Sequence, residues 1–415
     1  MEIKQLVKEQ AKGLGFDLVR ITSAEEFVED RNAALERMRA GHMDGLPWFT
    51  ESRVRRGADP QALLPGARSI ICLGLSYIPG EDSRFPGNDG QVDGPSESPL
   101  PMSGKVAHYA RLRDYHRVMK RRMRALVREL SDSLEKQVSA RWYVDDGPML
   151  DRAAANRAGL GWFGKNTNIL TPSHGSWVFL GQVITDLELE PDPPLRKTCG
   201  ACVRCIEACP TGAIVAPYVI DNSRCISYLT IENRGPIPQD LRPQMLDWVF
   251  GCDICQEVCP VNRKASTGNP RLWNRAGESI QRRDPQDIGG HTDNGPAPAR
   301  NGGLELLDLV ELLRMSEGDF RERFKGTPIM RAKWDGMRRN ACVALGNLAA
   351  PESVPALRDA LETGSVLVRS HAAWALGRID TPDAQQALEN AATTETDEVV
   401  TGEIEAALAH MLSPG

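Results

Sequence analysis

Eight of the chain's ten cysteines fall between Cys199 and Cys259. The run Cys199-x2-Cys202-x2-Cys205-x3-Cys209-Pro210 is the spacing with which small electron carriers hold cubane iron–sulfur clusters. Its two-residue gaps let three thiolates of one tight loop cap three irons. The fourth cysteine opens the next helix, faces away and ligates the other cluster. A second set follows as Cys225, then Cys252-x2-Cys255-x3-Cys259-Pro260, its first cysteine set apart by an insertion. Crossover pairing assigns Cys199, Cys202, Cys205 and Cys259 to one [4Fe–4S] cluster. Cys209, Cys225, Cys252 and Cys255 then hold the other. Zinc also uses CxxC pairs, but it would leave both the long run and its second copy unexplained. Paired clusters relay single electrons at low potential, so the rest of the chain must supply an acceptor and a substrate site.

Asp145 is a second candidate for chemistry. Trp142-Tyr143-Val144 reads as a short strand that runs into Asp145-Asp146-Gly147-Pro148, which is turn chemistry. An aspartate there either caps the turn or, given a protonated carboxyl, acts as a general acid; the residues alone leave both open. Two basic stretches invite a polyanion. Lys105 to Arg128 reads as a long helix with nine Lys or Arg and the single acid Asp114, and Arg321 to Arg339 holds seven Lys or Arg against Glu322 and Asp335. A solvated helix face accounts for either stretch equally well. Cys72 and Cys342 lie on apolar runs and read as core residues.

These groups need a scaffold. The 415 residues predict two or three domains, and 41% hydrophobic with 26% charged residues excludes wholesale disorder. A net charge of −6 excludes a uniformly basic surface and leaves local patches open. No apolar run is long enough to cross a bilayer, and the N-terminus lacks signal-peptide features. A cytoplasmic protein without membrane contact is expected, its cysteines reduced rather than paired. Ile3, Leu6, Val7, Ala11 and Leu14 recur at helical spacing, Ser69 to Leu75 reads as a buried strand, and Trp177 to Leu180 as another. Residues 79–104 and 264–303 are rich in Gly and Pro and read as loop and linker. Near the C-terminus, Arg338 to Gly346 aligns with Arg369 to Gly377 at a period of 31, which resembles HEAT-type paired helices.

Longer motifs carry a family resemblance. Cys209-Pro210-Thr211-Gly212-Ala213-Ile214, Cys225-Ile226-Ser227-Tyr228-Leu229-Thr230 and Gly251 to Pro260 resemble epoxyqueuosine reductases. So do Tyr109-Ala110-Arg111 with Asp114-Tyr115-His116, Val144-Asp145 with Gly147-Pro148, Ala158 to Asn166, and Arg339-Asn340 before Ala344-Leu345-Gly346-Asn347. The sequence departs at Val261, where the family often has Trp, and its loops at 79–104 and 274–303 look enlarged.

The resemblance implies a cytoplasmic enzyme that reduces the epoxide of epoxyqueuosine, at the wobble position of tRNA, to the cyclopentene of queuosine. It implies base-off cobalamin, two [4Fe–4S] clusters, an unidentified low-potential electron donor and a monomer. A mixed α+β architecture follows: an α/β cobalamin domain over 1–195, similar to that of reductive dehalogenases, a ferredoxin-like module over 196–263, a linker over 264–303, and a HEAT-like tRNA-binding domain over 304–415. Asp145 becomes the proton donor, its pKa raised by burial against the corrin. Arg56, His108, Asp145, Lys165, Ile169, Leu180 and Ser227 become cobalamin contacts. Asn233, Arg331, Lys333, Arg338 and Arg339 become tRNA contacts.

Two other readings compete. An electron-transfer adaptor would explain the cysteines and repeats but leave Asp145 and the first half of the chain idle. A reductive dehalogenase would keep the cobalamin, but the basic approach to the first repeat disfavours a small apolar substrate.

Overall fold

The computed structural model describes residues 2–78, 102–268 and 304–412. Most of the expected loop at 79–104 and of the expected linker at 264–303 lies outside the described residues. Packing divides the chain into two compact units, neither continuous in sequence. Residues 2–78, 114–223 and 253–268 form the first, and residues 102–113, 224–252 and 304–412 the second. The cysteine segment, expected as one module, is therefore shared out between them.

The first unit is built on an antiparallel sheet whose strands run in the order Leu18–Ser23, Ser69–Ser76, Val178–Thr185, Ala140–Tyr143. Every residue of the strand Ser69–Ser76 is buried, as its unbroken apolar run requires. The helix Tyr115–Ser133 carries its apolar residues Tyr115, Val118, Met119, Met123, Leu126 and Leu130 as one buried stripe. Its arginines Arg121, Arg124 and Arg128 are exposed on the other side, which is the solvated face. This helix begins later than the basic run suggests. Asp114 caps it by accepting the His116 N–H at 3.0 Å, and Ser103–Val106 is a strand followed by a single turn at His108–Arg111.

In the second unit the strand Ser103–Val106 lies between Trp248–Phe250, to which it is parallel, and Leu306–Asp308, to which it is antiparallel. The repeat appears as the helices Trp334–Leu348, Val354–Thr363, Val366–Ile379 and Pro382–Ala392, closed by Glu398–Leu412. The period has a packing reason. A Cβ on Gly346 would sit 2.7 Å from the Trp374 ring, and one on Gly377 would sit 2.7 Å from the Ala407 Cβ. Glycine at both equivalent positions lets each long helix press against the next. Cys342 is fully buried in this core, and Cys72 in that of the first unit.

Candidate active site and cluster cradle

Asp145 sits where the strand Ala140–Tyr143 turns, with φ +51°, a left-handed conformation that costs a non-glycine residue energy unless its surroundings hold it. They do so from below. The helix Glu51–Ala58 comes so close that a Cβ on Gly57 would lie 1.7 Å from the Pro148 carbonyl, and Arg53 donates to the Gly147 carbonyl. The Asp145 side chain remains 62% exposed.

Its neighbours come from the start of the helix Tyr115–Ser133. The Tyr115 hydroxyl donates to Asp145 Oδ2, and His116 Nε2 stands 3.7 Å from Asp145 Oδ1. His116 Nδ1 lies 2.7 Å from Asp114 Oδ1. Burial alone would depress the imidazole, but the hydrogen bond to Asp114 and the nearby Asp145 carboxylate, with their negative charges, outweigh it and carry His116 up to about 9. The ring is therefore an imidazolium at neutral pH. Tyr115 is fixed by stacking on Phe179, with centroids 4.0 Å apart and planes 5° from parallel, and it stacks on His116 at 4.1 Å. Asp146, the other acid of the turn, is paired with Lys120. Behind them Asp151 is pushed up to about 8 by burial and by the Asp145 charge, and its Oδ1 is buried without a partner. The sequence reading named Asp145 and missed Tyr115, His116 and Asp151. The Asp114-Tyr115-His116 triplet was the available signal: an N-cap acid two residues before a histidine aims the imidazole back across the helix start.

Arg56 is exposed on the helix that supports the Asp145 turn. Ile169 belongs to the apolar cluster beside it, with Ala58 and Met149, and Tyr143, Leu150, Phe163 and Leu180 are half-buried at its surface. His108 and Ser227 are half-buried and belong to the second unit. Lys165 is a correction. Only 9% exposed, it donates from Nζ to the Gly200 carbonyl at 2.8 Å, so its charge is spent inside the chain.

That bond opens the cluster cradle. Cys199, Cys202, Cys205 and Cys259 gather in the first unit, close enough that charge on one thiol disfavours charge on another. Burial comes first, and the negative charges of Cys199, Cys259 and Cys202 then hold Cys205 above its usual value. Cys259 is raised in the same way by burial and by Cys199 and Cys202. Four converging thiols that resist ionising together fit an iron–sulfur cluster, whose cationic irons stabilise the thiolates. Two one-turn helices, Arg204–Glu207 and Ile254–Glu257, precede Cys209 and Cys259 in matching positions. The Gly164-Lys165-Asn166 turn clamps both cysteine loops, since Asn166 Nδ2 donates to the Cys255 carbonyl at 3.2 Å. Gln256 accepts from the Ser176 hydroxyl at 2.8 Å and the Tyr77 hydroxyl at 3.2 Å.

The second unit holds Cys225 and Cys252, and there the basic patch reads differently from expectation. Arg339 has no exposed surface, and its guanidinium donates to the carbonyls of Leu229, Asn233 and Gly235 at 2.6, 2.9 and 2.8 Å. Burial, helped by the charge of Arg234, lowers it to about 9. Asn340 Nδ2 donates to the Thr230 and Val249 carbonyls, each at 2.8 Å. Arg338 is 6% exposed, lies over the Trp334 ring and donates to the Leu313 carbonyl. Arg338 and Arg339 are therefore not phosphate contacts, because burial and their backbone partners withdraw both charges. His371, 31 residues after Asn340, takes the Ile237 N–H at 3.1 Å, so both repeats grip the 224–252 segment. Arg331 and Lys333 are exposed, Asn233 is half-buried in a turn, and Arg234, absent from the sequence reading, is 49% exposed between them. Arg331 pairs with Glu232.

Comparison with known proteins fits this geometry. Residues 198–262 match the family model of a 4Fe-4S double cluster binding domain, residues 57–146 that of epoxyqueuosine reductase, and residues 329–409 that of HEAT repeats. An epoxyqueuosine reductase of Pseudomonas aeruginosa is 36% identical over 91% of this chain and 94% of its own. A crystal structure of epoxyqueuosine reductase with an epoxyqueuosine-modified tRNA-Tyr stem loop is 30% identical, with a TM-score of 0.82 over 99% of both chains. The Bacillus subtilis enzyme, in a structure whose catalytic aspartate loop is swung out of the active site, is 28% identical, with a TM-score of 0.80 over 98% of both chains. With its double-cluster segment, its repeats and its near full-length similarity, the chain belongs to the epoxyqueuosine reductase family.

Proposed function

We propose that the chain reduces the epoxide of epoxyqueuosine, carried at the wobble position of a tRNA, to the alkene of queuosine, with Asp145 delivering protons to the departing oxygen. The observation that carries this is the placement of Asp145: an exposed carboxyl on a fixed left-handed turn, between a phenol and an imidazolium. Opening and deoxygenating an epoxide requires two electrons, two protons and loss of water. A low-potential one-electron donor feeds the paired clusters of the double-cluster segment.

Cobalamin fits the wall beside Asp145. Half-buried Tyr143, Leu150, Phe163 and Leu180 offer an apolar face, and exposed Arg56 stands nearby for the polar rim of a macrocycle. Bound base-off, it supplies a strongly reducing centre for the epoxide. Asp145 then reaches the oxygen, Tyr115 orients its carboxyl through Oδ2, and the Phe179 stack keeps Tyr115 in place. Phosphates of the tRNA meet Arg234, Arg331 and Lys333, around Asn233. Among the described residues no helix is long and apolar enough to cross a membrane. The tRNA substrate is what supports a cytoplasmic enzyme, acting as a monomer.

The test is anaerobic reconstitution with iron, sulfide and cobalamin, incubation with epoxyqueuosine-containing tRNA and a chemical reductant, and mass analysis of the nucleosides. Loss of one oxygen from the modified base, dependent on cobalamin, is expected. An unchanged base despite intact clusters and bound cobalamin would overturn the assignment.

A further inference from the structure

We propose that His116 reloads Asp145 with a proton, so that one exposed carboxyl serves both proton deliveries of the reduction. This rests on the reading of Asp145 as the donor. The balance makes the demand explicit: an epoxide, two electrons and two protons give an alkene and one water. Both C–O bonds break, the oxygen leaves with both protons, and the electrons come one at a time from the external donor. A single carboxyl delivers one proton and must then be recharged.

Among the described residues, His116 is placed to recharge it. His116 Nδ1 is anchored on Asp114 Oδ1 at 2.7 Å, which leaves Nε2 facing Asp145 Oδ1 at 3.7 Å, a small side-chain rotation from a hydrogen bond. Tyr115 occupies the other oxygen, Oδ2, so the two neighbours do not compete. Asp114 is half-buried and favours reprotonation of the neutral imidazole after each transfer, while the side chain of His116 is 28% exposed and takes up its next proton from solvent. The charged groups facing the ring are Asp114 and Asp145. Arg117 follows on the same helix, and Lys120, one turn on, is held by Asp146. Asp151 does not substitute for His116, because its Oδ1 is sealed from solvent.

The experiment measures single-turnover rates of the pre-reduced holoenzyme against pH in wild type, Asp114→Asn, His116→Gln and Asp145→Asn, alongside NMR titration of the His116 ring. In the wild type the rate should fall as pH rises through the His116 value, about 9. Asp114→Asn should move that fall to lower pH, toward the ordinary histidine value of about 6.5, and the NMR titration should move with it. His116→Gln should lower the rate by roughly 10²-fold or more and remove the dependence. A purely structural role would lower the rate equally at every pH. A His116→Gln variant with the wild-type rate and profile, or a fall that ignores the ring titration, would overturn the inference. If Asp145→Asn is inactive while His116→Gln is unaffected, this inference alone fails; if Asp145→Asn is fully active, the donor reading fails with it.

Discussion

Two places in the molecule gather charged side chains around the backbone, and they are built in opposite ways. At the Asp145 turn the carboxyl is 62% exposed, while its neighbours, Asp114, Tyr115 and His116, are fixed by a helix cap and by aromatic stacking. At the start of the first repeat Arg339 is wholly buried, and its donors go to the Leu229, Asn233 and Gly235 carbonyls and to Asn340 Oδ1. A charge whose hydrogen bonds are all spent on its own chain does structural work, here fixing the segment that bears Cys225 and Cys252. A charge held by rigid neighbours yet open to solvent can exchange a proton with a substrate. Residue type and local charge density do not separate the two; the fate of the donors does.

The contrast can be broken most forcefully at Arg339. Arg339→Ala removes the donors to one buried and two part-buried carbonyls and should cost about 3 kcal/mol or more of stability in denaturant titrations. In Arg339→Lys, where folding survives, the salt dependence of tRNA binding should match wild type. A well-folded Arg339→Ala variant that binds tRNA more weakly would restore the surface reading of this residue. Next, Tyr115→Phe removes one hydrogen bond to a charged group, worth about 1.5–3 kcal/mol, and should slow single turnover by roughly 10- to 100-fold with iron content unchanged. Replacing Arg331 and Lys333 together by Ala should weaken tRNA binding several-fold and lower its salt slope by about 2. An unchanged slope would place the phosphate contacts elsewhere. The smallest effect concerns stability against pH. The folded-state pKa of His116 is raised, so its contribution is complete below about 6.5 and is lost as pH rises through about 9. Asp114→Asn should flatten that part of the stability curve.

Local spacing made much of this legible. The cysteine runs announced paired clusters because cubane ligation imposes short fixed gaps, and Cys199, Cys202, Cys205 and Cys259 do converge. The 31-residue period announced stacked helices because Gly346 and Gly377 must repeat wherever helices meet closely. Asp145 was visible as the polar end of a strand. What spacing could not convey is which side of an element faces inward and which distant segment fills it. Arg338 and Arg339 belong to a run that looks basic, yet they lie on the buried side of the helix Trp334–Leu348, Arg338 against Leu313 and Arg339 against residues about a hundred positions earlier. Lys165 looked like a ligand contact because its partner, Gly200, lies across a fold that no local pattern encodes. The helix expected from Lys105 starts only at Tyr115, since residues 103–106 pair instead with strands far away in sequence.

In the proposed reaction Asp145 hands protons to the departing oxygen. Its most direct test is Asp145→Asn, reconstituted with both clusters and cobalamin, reduced, and mixed with epoxyqueuosine-containing tRNA in a single turnover followed by nucleoside mass analysis. Iron and cobalamin content and tRNA affinity should match wild type, and the rate should fall by about 10²-fold or more. Queuosine formed at the wild-type rate would contradict it.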